Sequence, residues 1–322
     1  MQKLNLKSKS DTERIIDRSK FGSVELKDKR YPVSLKKIKD APTKLYYKGE
    51  WDDIFSAQGG AASGEENCLA VVGSRRLTSY GRRITKQLVT EIAAAGITIV
   101  SGFMYGGDEA AHQATVEIGG RTIAVMPCGI NVIHPEYQED LYNKILENKG
   151  LIISEFEGNF PPANWTYPRR NRIVAGLSKA VLVVEAALNS GTMITVGFAK
   201  SFGRKIFAVP GPLTSEVSRG TAQLIKEGAE VVTEASDVLK YFNLKGAKLL
   251  FGKLAKSSNS IGTAIQADQL EKKIMDYLEK EPSEIDVLAR MLSLPVSKIS
   301  ANLSLMQIKG FIKQEGNKYY AK

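Results

Sequence analysis

Short apolar runs that alternate with amphipathic stretches predict an α/β protein built on a mostly parallel sheet, with a small helix-and-hairpin domain after it. Two observations carry this. The first is a regular strand–helix–strand rhythm that starts at Leu69. The second is a change of pattern after residue 267, where three amphipathic stretches precede a compact turn between β-rich segments.

Leu69–Val72 is apolar and ends in Gly-Ser. Tyr80 to Ala95 places Ile84, Leu88 and Ile92 at helical spacing, and Ile97–Val100 closes the unit before Ser101-Gly102. Further apolar runs at Thr122–Met126, Leu151–Ile153, Ala180–Val184 and Lys205–Val209 predict strands, with helices near 108–118, 138–148, 172–178 and 192–202. Such alternation gives parallel strands with both faces covered by helices, an extended Rossmann-like domain over residues 31–244. Within it, Tyr31 to Gly49 predicts a short helix and an extended segment packed on the main sheet. Residues 1–30 are lysine-rich and poor in apolar periodicity, so a partly ordered arm is expected there. Residues 245–267 mix glycine, serine and lysine without periodicity and read as a linker. Residues 268–322 then predict a winged helix: helices over Gln269–Lys280, from a Ser283 cap to Leu292 and over Ser297–Ile308, and a hairpin turning at Glu315-Gly316-Asn317.

The net charge is +10, concentrated in residues 1–50 and 151–267, while the C-terminal domain is nearly neutral. That balance favours an acidic partner such as nucleic acid. The sequence has no apolar run long enough to span a membrane, and its N-terminus lacks the apolar core of a secretory signal, so a cytoplasmic protein is expected. Two cysteines and two histidines without ligand spacing argue against disulfides and against a metal site. No Walker A or Gly-x-Gly-x-x-Gly fingerprint and no nucleophile elbow is present, so no cofactor and no catalytic residue is expected.

In an open parallel sheet, ligands bind at the carboxyl ends of the strands, where helix N-termini favour anions. Three turns there hold the candidate residues: Gly73-Ser74-Arg75-Arg76, Ser101-Gly102 and Ser190-Gly191-Thr192. Glycine lets a backbone approach closely, hydroxyls and free N–H groups hold phosphate oxygens, and a guanidinium clamps phosphate with two hydrogen bonds. The alternative for Arg75 and Arg76 is a surface salt-bridge pair. A fourth run, Trp165-Thr166-Tyr167-Pro168-Arg169-Arg170-Asn171-Arg172, interleaves aromatic faces with cations, the combination expected for single-stranded nucleic acid. Its alternative is that the rings are core anchors and that one arginine pairs with Glu155 or Glu185. Asp108 and His112, four apart on a predicted helix, either form an acid–base pair or orient the helix by hydrogen bonds.

Taken in order, these motifs resemble the DprA/Smf family, the DNA-processing protein A of bacterial transformation. The match runs from about Tyr31 to Phe242. It includes Val72-Gly73-Ser74-Arg75 with Tyr80-Gly81, Ser101-Gly102 with Gly106, Asp108 and His112, Arg170-Asn171-Arg172 with Gly176-Leu177-Ser178, Ser190-Gly191-Thr192 with Thr195, and Pro210-Gly211. The chain departs from the family pattern at Met104 and Gly107 in the second glycine loop and at His134, which stands where the family has a tyrosine before the proline. The resemblance implies single-stranded DNA binding without established catalysis, a homodimer, and help in loading the RecA recombinase during homologous recombination. It implies DNA contacts from Arg75, Ser101-Gly102, Tyr167 and Arg170 to Arg172. Two other readings stand beside it. A nucleotide-cleaving enzyme of the lysine-decarboxylase-like (LOG) type would carry a Pro-Gly-Gly-x-Gly-Thr-x-x-Glu motif, and the nearest stretch here is Glu185 to Thr192. A duplex reader would use the winged helix, with Lys298, Lys309, Lys313 and Lys318 on one basic face; its near-neutral balance argues against this, and the alternative is a protein-interaction or dimer-stabilising module.

Overall fold

The computed structural model describes residues 20–55, 67–243 and 270–321, the last without 272, 280, 293, 295, 309 and 310. Contacts divide the chain into two compact units, Met1–Ala247 and Lys248–Lys322. The segment read as a linker lies outside the described residues, as does the start of the N-terminal arm.

The first unit is organised by a nine-stranded sheet in the order β1-β2-β6-β5-β4-β3-β7-β8-β9. Its centre is β3 (Cys68–Val72), flanked in parallel by β4 (Thr98–Ser101) on one side and β7 (Ala180–Val183) on the other. β5 (Thr122–Val125) and β6 (Leu151–Ser154) continue in parallel beyond β4, and β8 (Lys205–Ala208) and β9 (Glu230–Val231) beyond β7. The antiparallel edge is β2 (Lys44–Gly49) on β6, then β1 (Gly22–Glu25) on β2. β1 falls in the arm expected to be only partly ordered. Val24 explains the difference, because it is 1% exposed and reaches the core from the edge strand.

Strand periodicity sorts β3 between two cores. Ala70 and Val72 face one cluster with Val181, Val183, Ile173 and Leu177, while Leu69 and Val71 face another with Leu88, Ile92, Ile99 and Phe207. Helices cover both faces, as continuous apolar strands require. They are α1 (Val33–Lys36), α2 (Trp51–Phe55), α3 (Ser79–Ala94), α4 (Gly107–Val116), α5 (Glu139–Glu147), α6 (Thr166–Leu177), α7 (Gly191–Ser201), α8 (Arg219–Lys226) and α9 (Ala235–Tyr241). α3 starts at an N-cap, Thr78, whose side chain accepts from the Gly81 N–H. α6 begins six residues before the stretch predicted as helix. Pro168 lies in its first turn, where a missing N–H costs nothing and a fixed φ suits the helix.

The second unit is a winged helix. Residues 270–278, apart from 272, are helical; helices Ile285–Met291 and Val296–Ile308 follow; and β10 (Ser283–Glu284), β11 (Ile312–Glu315) and β12 (Lys318–Ala321) form a sheet in the order β10-β12-β11. Ile274, Leu288, Ile299 and Leu303 fill its core. Ser283 does not cap the second helix as expected: it pairs with Tyr319 in β10, and Glu284 takes the cap position.

Two glycines give the fold a direct test. A Cβ on Gly107 would stand 2.5 Å from the Gly73 Cα, whereas one on Gly197, in α7, would meet nothing within 4 Å. Gly107→Ala is expected to cost about 1–3 kcal/mol by overpacking. Gly197→Ala is expected to add about 0.5–1 kcal/mol through helix propensity. Urea denaturation of the two variants beside the parent checks both signs.

Candidate nucleic-acid interface

The strand order reverses between β3 and β7, since the chain proceeds from β3 outward through β4 and later returns to β7 on the other side. A cavity of about 520 Å³ opens there, at the carboxyl ends of β3, β4 and β7. Its first wall is the loop after β3. The Ser74 N–H donates to the Glu185 carbonyl at 2.7 Å, the Arg76 N–H to Ser74 Oγ at 3.0 Å, and the Gly107 N–H to the Ser74 carbonyl at 3.1 Å. The buried Glu185 carboxylate accepts from the Thr78 N–H at 2.9 Å and from the Thr78 hydroxyl at 2.5 Å. A loop tied at both ends presents Arg75 outward. The Arg75 guanidinium lies 5.3 Å from the ring centre of Tyr167 and 5.9 Å from that of Tyr105. It has no carboxylate partner among the described residues, so its charge is open to a ligand.

The floor is different in kind. Arg170 is only 4% exposed; it donates to the Val125 carbonyl and to Asn171 Oδ1 at 3.2 Å, and its nearest carboxylate oxygen, Asp108 Oδ2, is 3.9 Å away. Burial lowers the Arg170 pKa and raises that of Asp108, each opposed by the other's charge. A guanidinium remains charged even so. Gly102 makes this possible, because a Cβ there would collide with both the Asp108 carboxylate and the Arg170 guanidinium. Behind it, His112 is fully buried with Nε2 2.5 Å from the Gly102 carbonyl and Nδ1 2.8 Å from Thr122 Oγ1. Asp108 and His112 thus take separate partners, and His112 fastens the Gly102 loop to β5.

The second wall is the β7–α7 turn, with Asn189, Ser190, Gly191 and Thr192. Ser190 Oγ is buried without a hydrogen-bond partner, at the N-terminus of the eleven-residue α7. A helix N-terminus supplies unpaired N–H groups beside it.

Most residues singled out in the sequence line this cavity: Gly73, Ser74, Arg75, Arg76, Gly102, Tyr167, Arg170, Asn171, Ser190, Gly191 and Thr192. Three do not. Ser101 is wholly buried and donates to the Val71 carbonyl at 2.6 Å. Arg169 forks onto Glu155 at 2.8 and 3.0 Å. Arg172, 2% exposed, meets the same carboxylate at 2.5 Å and Asp40 at 3.2 Å. Helical spacing is the cause, since positions 167, 170, 171 and 174 share the cavity face of α6 while 169 and 172 turn toward Glu155. The cavity also takes in Tyr105 and Asn164, which the sequence reading did not select. Tyr105 had a visible signal, an aromatic ring beside the Gly106-Gly107 pair in the loop after β4.

Among the described residues, no group of three histidine, cysteine or acidic side chains could hold a metal ion, and no helix is long and apolar enough to cross a membrane. The family model for DNA recombination-mediator protein A matches residues 23–243, and the model for the DprA winged helix domain matches residues 262–318. The chain belongs to the DNA recombination-mediator protein A family, DprA/Smf. Protein Smf of Escherichia coli (strain K12) is 37% identical over 287 residues, covering 88% of this chain and 72% of that protein. DNA processing protein DprA of Streptococcus pneumoniae is 38% identical over 223 residues, covering 69% and 75%. The X-ray structure of DprA from S. pneumoniae superposes with a TM-score of 0.63 at 37% identity, over 69% of this chain and 74% of that one. A DprA structure from Helicobacter pylori, described as showing a single-stranded DNA binding mode, gives 0.59 at 29% identity over 69% and 95%.

In this DprA/Smf chain, burial of His112 lowers its pKa from 6.5 to about 4. The folded state therefore holds the neutral ring while the unfolded chain takes up a proton below about 6.5. The stability gained from this is present above that pH and is lost as pH falls toward 4. We expect the unfolding free energy to drop by about 3 kcal/mol across that window. The slope should be shallower in His112→Gln, whatever its baseline, when urea titrations are repeated at half-unit pH steps.

Proposed function

We propose that the cavity between the β3–α3 and β7–α7 turns binds single-stranded DNA, and that through it the protein acts as a recombination mediator. The observation that carries this reading is Arg75: an exposed guanidinium that makes no ion pair among the described residues, near two tyrosine rings at a cavity whose floor is a second, buried arginine. Cations for the phosphate and aromatic faces for the bases are the recognition elements of single strands, and stacking tolerates any base. The description of the H. pylori relative as a single-stranded DNA binder supports the same assignment.

The arrangement favours binding over bond cleavage. Glu185 is engaged by Thr78, Asp108 is held by the Met104 N–H and Arg170, and His112 is fastened to backbone, which leaves these groups poorly placed to move a proton at a ligand. We extend the proposal, on family membership, to a homodimer that helps load RecA recombinase onto the bound strand.

Fluorescence anisotropy with a twenty-nucleotide oligo-dT tests the site. Arg75→Ala is expected to weaken binding at least about tenfold and to reduce the slope of log K against log salt by about 0.7, the share of one phosphate contact on a single strand. Arg169→Ala, outside the cavity, should stay within about threefold of the parent. Equal affinity of Arg75→Ala and parent would overturn the assignment. RecA loading is read separately, as faster RecA nucleation on the same oligonucleotide with the protein present, and a sedimentation experiment reports the dimer.

A further inference from the structure

Beside the cavity lies an aromatic surface that the site above does not use. Trp165 follows Asn164 directly and stands one turn before Pro168, two residues that line the cavity rim. It is 54% exposed, and its ring meets Phe156 edge-on at 5.7 Å and Phe160 at 6.1 Å. Those two rings stack 4.7 Å apart at an interplanar angle of 12°, and Phe160 is itself 38% exposed. The platform is not carried on a loose loop. The Gly129 N–H donates to the Phe160 carbonyl at 2.8 Å and the Ile130 N–H to the Phe156 carbonyl at 3.1 Å, which ties both phenylalanines to the segment after β5.

Single exposed aromatics are common on protein surfaces and carry no meaning alone. Three in mutual contact, with the outermost indole fixed from behind and open in front, are preorganised for a flat apolar partner. Of the two carboxylates beside the platform, Glu155 already carries Arg169 and Arg172, and Glu157 accepts from the Tyr46 hydroxyl at 3.1 Å. A strand longer than the cavity has to leave it over some part of the rim. At the Asn164–Pro168 rim the surface it meets is this indole.

We infer that Trp165, backed by Phe156 and Phe160, is a second base-stacking platform that takes a base of the same single strand as it leaves the cavity past Asn164. The inference rests on the single-strand reading above and extends it from a cavity to a path. Stacking on an exposed indole is insensitive to sequence, so the platform adds affinity and footprint without base preference.

Intrinsic fluorescence separates this from its competitors, since the other tryptophan, Trp51, is 2% exposed and packed against Tyr47 and Phe55. The difference in emission between parent and Trp165→Phe reports Trp165 alone. Titration with oligo-dT of four and of twenty nucleotides should quench that difference signal and shield it from acrylamide only with the longer strand. Trp165→Ala should weaken binding of the longer strand roughly tenfold, leave the shorter one within about twofold, and be rescued by Trp165→Phe. Unquenched Trp165 emission on saturation with the longer strand would overturn the platform, and so would unchanged affinity of Trp165→Ala for it. If in that case Arg75→Ala still loses binding, the cavity reading survives by itself. If Trp165→Ala binds the longer strand normally but fails to accelerate RecA nucleation, the aromatic surface is a protein contact and the inference falls.

Discussion

Glu185 follows β7 by two residues at the point where the sheet changes direction, and the β3–α3 turn hangs from it at both ends. Its carbonyl receives the Ser74 N–H, and its carboxylate receives both the backbone and the hydroxyl of Thr78, so the whole turn from β3 to α3 is gripped at its two ends by one residue just beyond a neighbouring strand. A buried carboxylate is costly unless it is hydrogen-bonded, and these bonds to fixed donors satisfy it. Gly81 shows how tightly the space around it is filled, for a Cβ there would lie 2.5 Å from Glu185 Oε2. Arg75 inherits its position from this grip. An arginine on a free loop would spread its charge over many rotamers, whereas here the backbone on either side is already fixed, and less entropy is lost when a phosphate arrives.

Arg170 and Asp108 form the complementary half of the device. At 3.9 Å the two are an ion pair without a direct hydrogen bond, and the arginine donates instead to the Val125 carbonyl and to Asn171. The buried cation is therefore only partly compensated, and its field is felt inside the cavity, where the low dielectric magnifies it. Arg75 faces the same space and acts against Arg170 as a like charge. Two arginines that share one distant carboxylate leave an electrostatic deficit that an anion would relieve. His112 stays neutral chiefly because it is buried, the nearby Arg170 charge lowers its pKa further, and a neutral ring can keep its bond to Gly102 at physiological pH.

The central sheet was legible because strands buried on both faces must be apolar throughout, and β3 to β8 stand within a residue or two of the apolar runs that predicted them. Short elements were not. β1, α2 and β9 hold four, five and two residues, too few for periodicity to rise above the background, and each exists because the large sheet offers it an edge or a face. The cavity was legible at glycine turns, where residue type and position along the chain both point to a strand end. Along Arg169 to Arg172 the sequence left two readings open, contact with nucleic acid or pairing with Glu155 or Glu185, because a run of cations looks like one surface until its backbone is known to be helical. Pro168 and the two prolines at 161 and 162 resemble helix breakers, yet a proline in a first turn is a helix starter. Once α6 begins at Thr166, the 3.6-residue period divides the run into Arg170 and Asn171 on the cavity and Arg169 and Arg172 on Glu155.

That division bears on the proposal that the cavity takes a single strand. Had all the cations pointed to solvent, they would have made a broad basic stripe, the surface that neutralises the regularly spaced phosphates of a duplex. With Arg169 and Arg172 withdrawn onto a carboxylate, the strip is broken, and the positive charge that lines the cavity is divided between the exposed Arg75 and Arg76 and a floor residue, Arg170, that is 4% exposed. A group can reach Arg170 only by entering the cavity. The bases of a duplex are paired and stacked, and its phosphates lie outside on a stiff rod, so neither can descend there. On the proposed reading, a single strand would turn a nucleotide inward, set its base against Tyr167 and Tyr105, and bring a phosphate between Arg75 and the N-terminus of α7. Salt-bridge chemistry on the outer face of one helix thereby narrows what the inner face will accept.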